Sequence, residues 1–459
     1  MSFQRAVLRG QYNATILQQT ATSGTAPAFT SAATTTFTFN ATSTFSVTAS
    51  GSPAPTFTTA SSLPSGVTLS GAGVLAGTPT SSGPYTVSIT AGNGISPNAT
   101  QSFTLTVTWG GFVAMTTYSV PTFPTTIAAG DLTGDGRPDL VVTAGSTTVA
   151  VLLNNGNGTF AAVQTFSNTN NCTGICIADF SGDTVNDLVV QNSTTAVARL
   201  YAGNGNGTFA AAVSFATSTA MASQLTAADL NGDNKQDLVG TSAAGANMGV
   251  VLGNGNGTFA AVATFASGMA ATVAAHAVAD LNADNKPDIV TVGGTRCGIH
   301  MGNGDGTFVA VVTFSTVLTA NSVAIGDING DGVPDLLIGT TTAGKVLTLL
   351  GNGNGTFQTA VTVSLANGGA IKWVALADVS GDGNKDIITC SYPDNTTPGW
   401  LTVILGNGNG TFGAETTYAL GLRPSRLIAT DLTGDGRADI VVNERVSSGN
   451  GDAAILLNQ

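Results

Sequence analysis

The chain has 459 residues, of which 42% are hydrophobic, 9% are charged and 59 are glycine, enough apolar material for sizeable cores and too much for a disordered chain. A net charge of −12 excludes a nucleic-acid binder, because phosphate contacts need clustered Lys and Arg. No apolar run approaches the roughly 18–20 residues of a membrane-spanning helix, and four cysteines are too few for a disulfide framework.

Residues 1–25 match no pattern. Arg5 and Arg9 open the chain, but polar Gln11–Thr15 follows where a signal peptide needs its apolar core. The segment reads as a leader, or as a strand donated to a neighbouring subunit's sheet edge.

Residues 26–108 alternate apolar and polar at Thr36–Phe39, Phe45–Thr48, Tyr85–Thr90 and Phe103–Val107, with Gly, Pro and Ser turns between. This predicts a small antiparallel β-sandwich. Apart from Arg5 and Arg9 the first 130 residues carry no charged side chain. Charge repulsion therefore does not keep this module apart from copies of itself, which suits burial in an assembly.

From Asp131 the acids come in triplets. The string D-x-x-G-D-x-x-x-D, with one lapse at its glycine, begins at Asp131, Asp179, Asp229, Asp280, Asp327, Asp378 and Asp431, a mean spacing of 50 residues. A second string, N-G-[ND]-G-T-F, trails the first six copies, at Asn155–Phe160, Asn204–Phe209, Asn254–Phe259, Asn303–Phe308, Asn352–Phe357 and Asn407–Phe412. Short β-branched runs such as Leu140–Thr143 and Val149–Leu153 lie between Gly- and Asn-rich turns. About four short strands per unit, seven units and almost no helix predict propeller blades over residues 109–459. The seventh copy ends at Ile455–Gln459, which aligns with Val151–Asn155, while the stretch Gly110–Ala114 resembles Gly158–Ala162. A last blade built from both ends of the repeat region predicts a closed seven-bladed ring without free sheet edges.

The triplets carry the chemistry. Position 1 is the Asp that opens each string. Position 3 is Thr133, Ser181, Asn231, Asn282, Asn329, Ser380 or Thr433, and position 5 is Asp135, Asp183, Asp233, Asp284, Asp331, Asp382 or Asp435. Position 7, which can offer a backbone carbonyl, is Arg137, Val185, Lys235, Lys286, Val333, Asn384 or Arg437. Position 9 is Asp139, Asp187, Asp237, Asp288, Asp335, Asp386 or Asp439. Alternate oxygen donors around a tight turn suit Ca²⁺, which takes six to eight hard oxygen ligands in flexible geometry. Asp-Gly hairpin turns are the plainer reading of a single copy. Yet the loops hold 21 of the 26 acidic residues, and three clustered anions repel one another without a cation between them. Up to seven Ca²⁺, one per loop, are expected. Two loops carry misfits: Thr184 replaces the Gly or Asn of position 6, and Ala283 replaces the Gly of position 4.

Together the loops, the N-G-x-G-T-F strings and the period resemble the FG-GAP/VCBS-type repeats of integrin-like calcium-binding propellers. The string Leu63–Leu69 and the stretch from Gly77–Pro79 through Gly92–Gly94 resemble the immunoglobulin-like domains of bacterial surface proteins. The resemblance implies one calcium per blade loop on a secreted or surface-displayed protein.

No nucleophile elbow or H-E-x-x-H zinc motif is present. The two histidines, His276 and His300, fall on strands and read as structural. Cys172, Cys176, Cys297 and Cys390 read as buried hydrophobes, and only Cys172 and Cys176 are spaced for a local bridge. The expectation is a non-enzymatic adhesion or binding protein that meets a glycan or protein through its propeller face. Trp373, Tyr392 and Trp400 are candidates for stacking on a sugar. The alternative is a structural subunit that assembles with copies of itself.

Overall fold

The computed structural model describes residues 24–458 except 145–146, 169–171, 193–194, 219–220, 222, 242–244, 271 and 446–450. The leader expected at 1–25 lies outside the described residues up to residue 23, and Thr25 already belongs to a strand. The described residues are all β, with no α-helix, and contain no helix long and apolar enough to cross a membrane. The chain divides into compact units at Met1–Thr108 and Trp109–Gln459.

In the first unit a four-stranded sheet, ordered Thr34–Thr38, Ala99–Thr108, Gly83–Gly92 and Thr56–Thr59, shares a core with the three-stranded sheet of Ser43–Ser46, Val74–Gly77 and Val67–Leu69. Strand alternation does the sorting. Along Gly83–Gly92, Val87, Ile89 and Ala91 are buried while Thr86 and Ser88 are exposed. Phe37, Phe103, Leu105 and Leu75 fill the interior. One pairing departs from the antiparallel expectation: Thr34–Thr38 runs parallel to Ala99–Thr108.

The second unit is a series of antiparallel meanders. Its first sheet is Pro124–Gly130, Asp139–Ala144, Thr148–Leu152 and Gln164–Ser167, and two further four-stranded sheets follow the same plan. The second strand of each repeat, starting at the position-9 Asp, is buried on both faces and reads as a continuous apolar run such as Asp187–Asn192. Later repeats are not separate sheets. Val312–Gly326 and Phe412–Thr430 each run from the last strand of one repeat into the first strand of the next, fusing repeats four with five and six with seven. All of these sheets are open.

Apolar clusters fill the gaps between consecutive repeats. Val141, Val151, Ile175 and Leu188 join the first two, and Ala377, Ile388, Leu427 and Ile440 join the last two repeats. A further cluster joins the first repeat to the last through Ile127, Leu140, Leu152, Val441 and Ile455. The last sheet draws on both ends of the unit. Gly451–Leu456 lies between Asp439–Arg445 and Thr116–Val120, with Thr116 opposite Ile455 and Val120 opposite Gly451. Just outside it, Phe112 bridges Asn458 as Phe160 bridges Asn154.

Candidate metal-binding loops

Each loop leaves a first strand at its position-1 Asp and re-enters the sheet at its position-9 Asp. In the first copy Asp131 Oδ1 accepts backbone N–H groups from Thr133 (3.1 Å), Gly134 (2.7 Å) and Asp135 (3.3 Å), and Oδ2 accepts from Gly136 (2.7 Å). Burial opposes ionisation at Asp131, but these N–H groups outweigh it and hold the pKa below the usual carboxylate range. Asp135 Oδ1 accepts from the N–H of Arg137 at 3.0 Å. Asp139 Oδ2 accepts from Leu132 (2.9 Å) and Oδ1 from Asn154 (2.8 Å). Position 9 thus bolts the start of the loop to the end of the sheet's third strand. The same two bonds recur in every copy, from Asp187 with Phe180 and Gly203 to Asp439 with Leu432 and Asn458.

All seven position-9 carboxyls are fully buried. Burial raises their pKa, and in loops one, three, four, five and seven the carboxylates at positions 1 and 5 raise it further. Asp386 is pushed up to about 7 and Asp439 to about 6.

Position 6 takes a left-handed backbone in every copy, with φ of 81° at Gly136 and 60° at Asn234. Thr184 is forced into it at 71°, and Ala283 holds 59° at position 4 where the other copies have Gly. Ala283 also breaks the bonding pattern. The position-4 N–H donates to the position-1 carboxylate in the six Gly copies, from Gly134 to Gly434, and not in loop four.

The candidate ligands of each loop are therefore neighbours, but their carboxylates are turned onto backbone N–H groups. Among the described residues no three Asp, Glu, His or Cys side chains converge as a metal-binding group. Position 3 joins the turn too: the hydroxyls of Thr133, Ser181, Ser380 and Thr433 donate to the position-1 carboxylate, and the side-chain oxygens of Asn231, Asn282 and Asn329 accept the N–H of position 5. Position 7 contributes more than a carbonyl. The Arg137, Lys235 and Arg437 side chains pair with the position-5 Asp of their own loops, a neutralisation the sequence reading missed. Oxygen is still the only metal-ligating atom type at positions 1, 3, 5, 7 and 9, a donor set that fits a hard cation such as Ca²⁺.

Elsewhere the four cysteines are buried. Cys172 and Cys176 stand four residues apart along one extended strand, too far for a bridge. His276 and His300 are also buried, which depresses their pKa to about 3 and about 4. Two of the proposed sugar-stacking rings are covered by the protein's own cations: Arg426 lies 4.6 Å from the Trp373 ring and Lys372 4.3 Å from that of Tyr392. A different aromatic surface is open. Phe166, Tyr201 and Phe209 line a cavity of about 430 Å³ between the first two repeat sheets, with Gln164, Thr165 and Thr208. The sequence signal for it was Phe209, which ends an N-G-x-G-T-F string.

A family model described as FG-GAP-like repeat matches residues 131–190, 182–240, 229–291 and 293–338, and one described as FG-GAP repeat matches 319–364. The model described as Putative Ig domain matches 11–108. No protein of curated function matches the sequence. Among solved structures, one similar to this chain is that of an Agrocybe aegerita lectin, described as recognising non-reducing terminal N-acetylglucosamine. Identity is 22% over 72% of this chain and 87% of the lectin, with a TM-score of 0.45. Another is BBS1N in complex with ARL6DN, with 14% identity over 74% of this chain and 96% of the other, and a TM-score of 0.48.

Proposed function

We propose that this chain, an FG-GAP repeat protein with an immunoglobulin-type domain ahead of the repeats, is a calcium-stabilised binding protein of the cell surface or extracellular space. One observation carries the reading. Each loop buries its position-9 carboxyl fully, and in five loops the carboxylates at positions 1 and 5 both raise its pKa. Buried like charges are costly unless a cation shares them. Bound Ca²⁺ supplies that shared positive charge, held by positions 1, 3, 5 and 9 and the carbonyl of position 7. Excess chelator should lower the melting temperature substantially, since a ligand bound only to the folded state stabilises it by mass action. An unchanged melt, with no calcium in the purified protein, refutes the reading.

The repeats are proposed to close as a seven-bladed propeller. Support comes from the apolar cluster shared by the first and last repeats. Arg426 supports it independently: from the last repeat it reaches Thr126 of the first, the Ser223 carbonyl at the third and the Trp373 ring of the sixth. Such reach is natural for a side chain near an axis. The cavity beside Tyr201 and Phe209 is the proposed seat of a glycan or protein side chain. A glycan array comparing the wild type with Tyr201→Ala tests this, and identical profiles would count against that seat.

One feature favours a second role, as a structural subunit: residues 24–108 contain no charged side chain. Electron microscopy separates the two roles, since filaments or arrays support assembly and single particles support the binder.

A further inference from the structure

We propose that Arg426 anchors a binding site for a small carboxylate among the first strands of the repeat sheets. Its Nη1 donates to Thr126 Oγ1 at 3.0 Å and its Nη2 to the Ser223 carbonyl at 3.3 Å. These use two of the five N–H groups of a guanidinium. One face of the ion lies over Trp373, and its unused N–H groups point outward along the edge of the plane. The ion pairs among the described residues join other side chains, so no described carboxylate pairs with this cation. Burial alone depresses its pKa, to about 10, and no anion offsets that burial.

A second observation points to the same place. Asn443 stands directly across the strand pair from Arg426, so the two side chains share one face. It is fully buried, yet neither its amide oxygen nor its amide nitrogen has a hydrogen-bond partner. Buried amides are rarely orphaned, and an unpaired buried charge costs more still. The Arg426 charge also lowers the pKa of His276, whose Nε2 has no partner either. A planar anion held in-plane by the guanidinium and capped by the Asn443 amide nitrogen pairs the cation and gives that buried donor an acceptor. Carboxylate is the anion with that shape, since bidentate in-plane pairing is its preferred mode on arginine.

The test is ¹⁹F NMR of trifluoroacetate added to the full calcium-loaded chain, with ionic strength fixed by chloride. Saturable line broadening, reversed by formate, is expected for the wild type. Arg426→Met should abolish it and Asn443→Leu should weaken it by about tenfold. If Arg426→Met fails to fold, Arg426→Lys decides, because it keeps the charge and removes the in-plane fork. Wild-type affinity in Arg426→Lys would overturn the proposal. So would absence of saturable broadening in the wild type, or competition by sulfate as strong as that by formate.

Discussion

The side-chain amide of Asn154 donates to the carbonyl of Leu432, 278 residues along the chain, at 2.9 Å, and to that of Pro138 at 3.0 Å. Asn458 repeats the arrangement on Val379 and Ala438. Leu432 and Val379 hold position 2 of the seventh and sixth Asp loops. In the repeats between, the residue in register is glycine, as at Gly203, Gly253 and Gly302. In repeats two to four the latch is made by the backbone instead: Gly207, Gly257 and Gly306 donate their N–H to Leu132, Phe180 and Leu230 of the preceding loop. Asparagine thus stands at both joints of the last repeat.

Asn154→Ala should lower the stability of the whole repeat unit by about 1–3 kcal/mol, because it strips partners from buried carbonyls. The neighbouring Asn155 is exposed and bonds only locally, to Thr159, so Asn155→Ala should stay within about 0.5 kcal/mol of wild type. Calorimetry showing equal shifts for the two would deny Asn154 its bridging role.

Deleting residues 453–459 should abolish the cooperative melt of the repeat unit. It removes most of an interior strand and bares Thr116–Val120 and Asp439–Arg445 as two new edges. Ile455→Ala is the milder version. Ile455 is buried in the cluster shared by the first and last repeats, and such truncations cost about 2–5 kcal/mol. A near-wild-type melt for the deletion would mean that the ends stabilise only themselves.

The sequence made the repeat unit legible because its signals are periodic and local. The left-handed turn is written in the Gly and Asn of position 6, and the buried strand in the apolar run after position 9. Fusion of repeats four with five and six with seven was not legible, since Val317 and Arg423 turn through a left-handed backbone (φ 63° and 49°) inside these strands and Gly421 and Pro424 read as the end of one. The parallel pairing of Thr34–Thr38 escaped for a related reason: alternation gives the buried face of a strand and not its direction. Arg426 escaped because its neighbours come from remote repeats, and no spacing rule links it to Thr126 or Ser223. The Asp triplets were legible as a cluster. Their backbone N–H partners were not, because those bonds depend on the curl of the loop.

Thr184→Gly and Ala283→Gly should each stabilise the protein, by about 0.5–1 kcal/mol. A non-glycine residue in the left-handed region costs about 1–2 kcal/mol, part of which glycine returns as unfolded-chain entropy. Ala283→Gly should also raise calcium occupancy in loop four, whose position-4 N–H lacks the bond to Asp280 found in the other copies. Gly182→Ala provides the opposite sign: its φ is 78°, and an added Cβ would lie 2.5 Å from the Gly255 carbonyl. Melts that place all three on the same side of wild type would contradict the strain argument.

Glu444 gives the repeat unit a pH dependence separate from the Asp loops. It is 3% exposed, and burial raises its pKa from 4.5 to about 7. The backbone N–H of Gly421 donates to its carboxylate and opposes the rise, while Asp452, directly across the strand pair, adds to it. The folded state therefore favours the protonated acid. Its stability contribution is fully present below about pH 4.5 and is lost as pH climbs through about 7, an effect of roughly 3 kcal/mol by linkage. Glu444→Gln keeps an acceptor for Gly421 and removes the titration. At constant free calcium, the variant should be more stable than wild type at pH 8 and should show a flatter stability profile between pH 4.5 and 7. A variant that merely shifts the profile down by the same amount at every pH would show that Glu444 acts through packing and not through its charge.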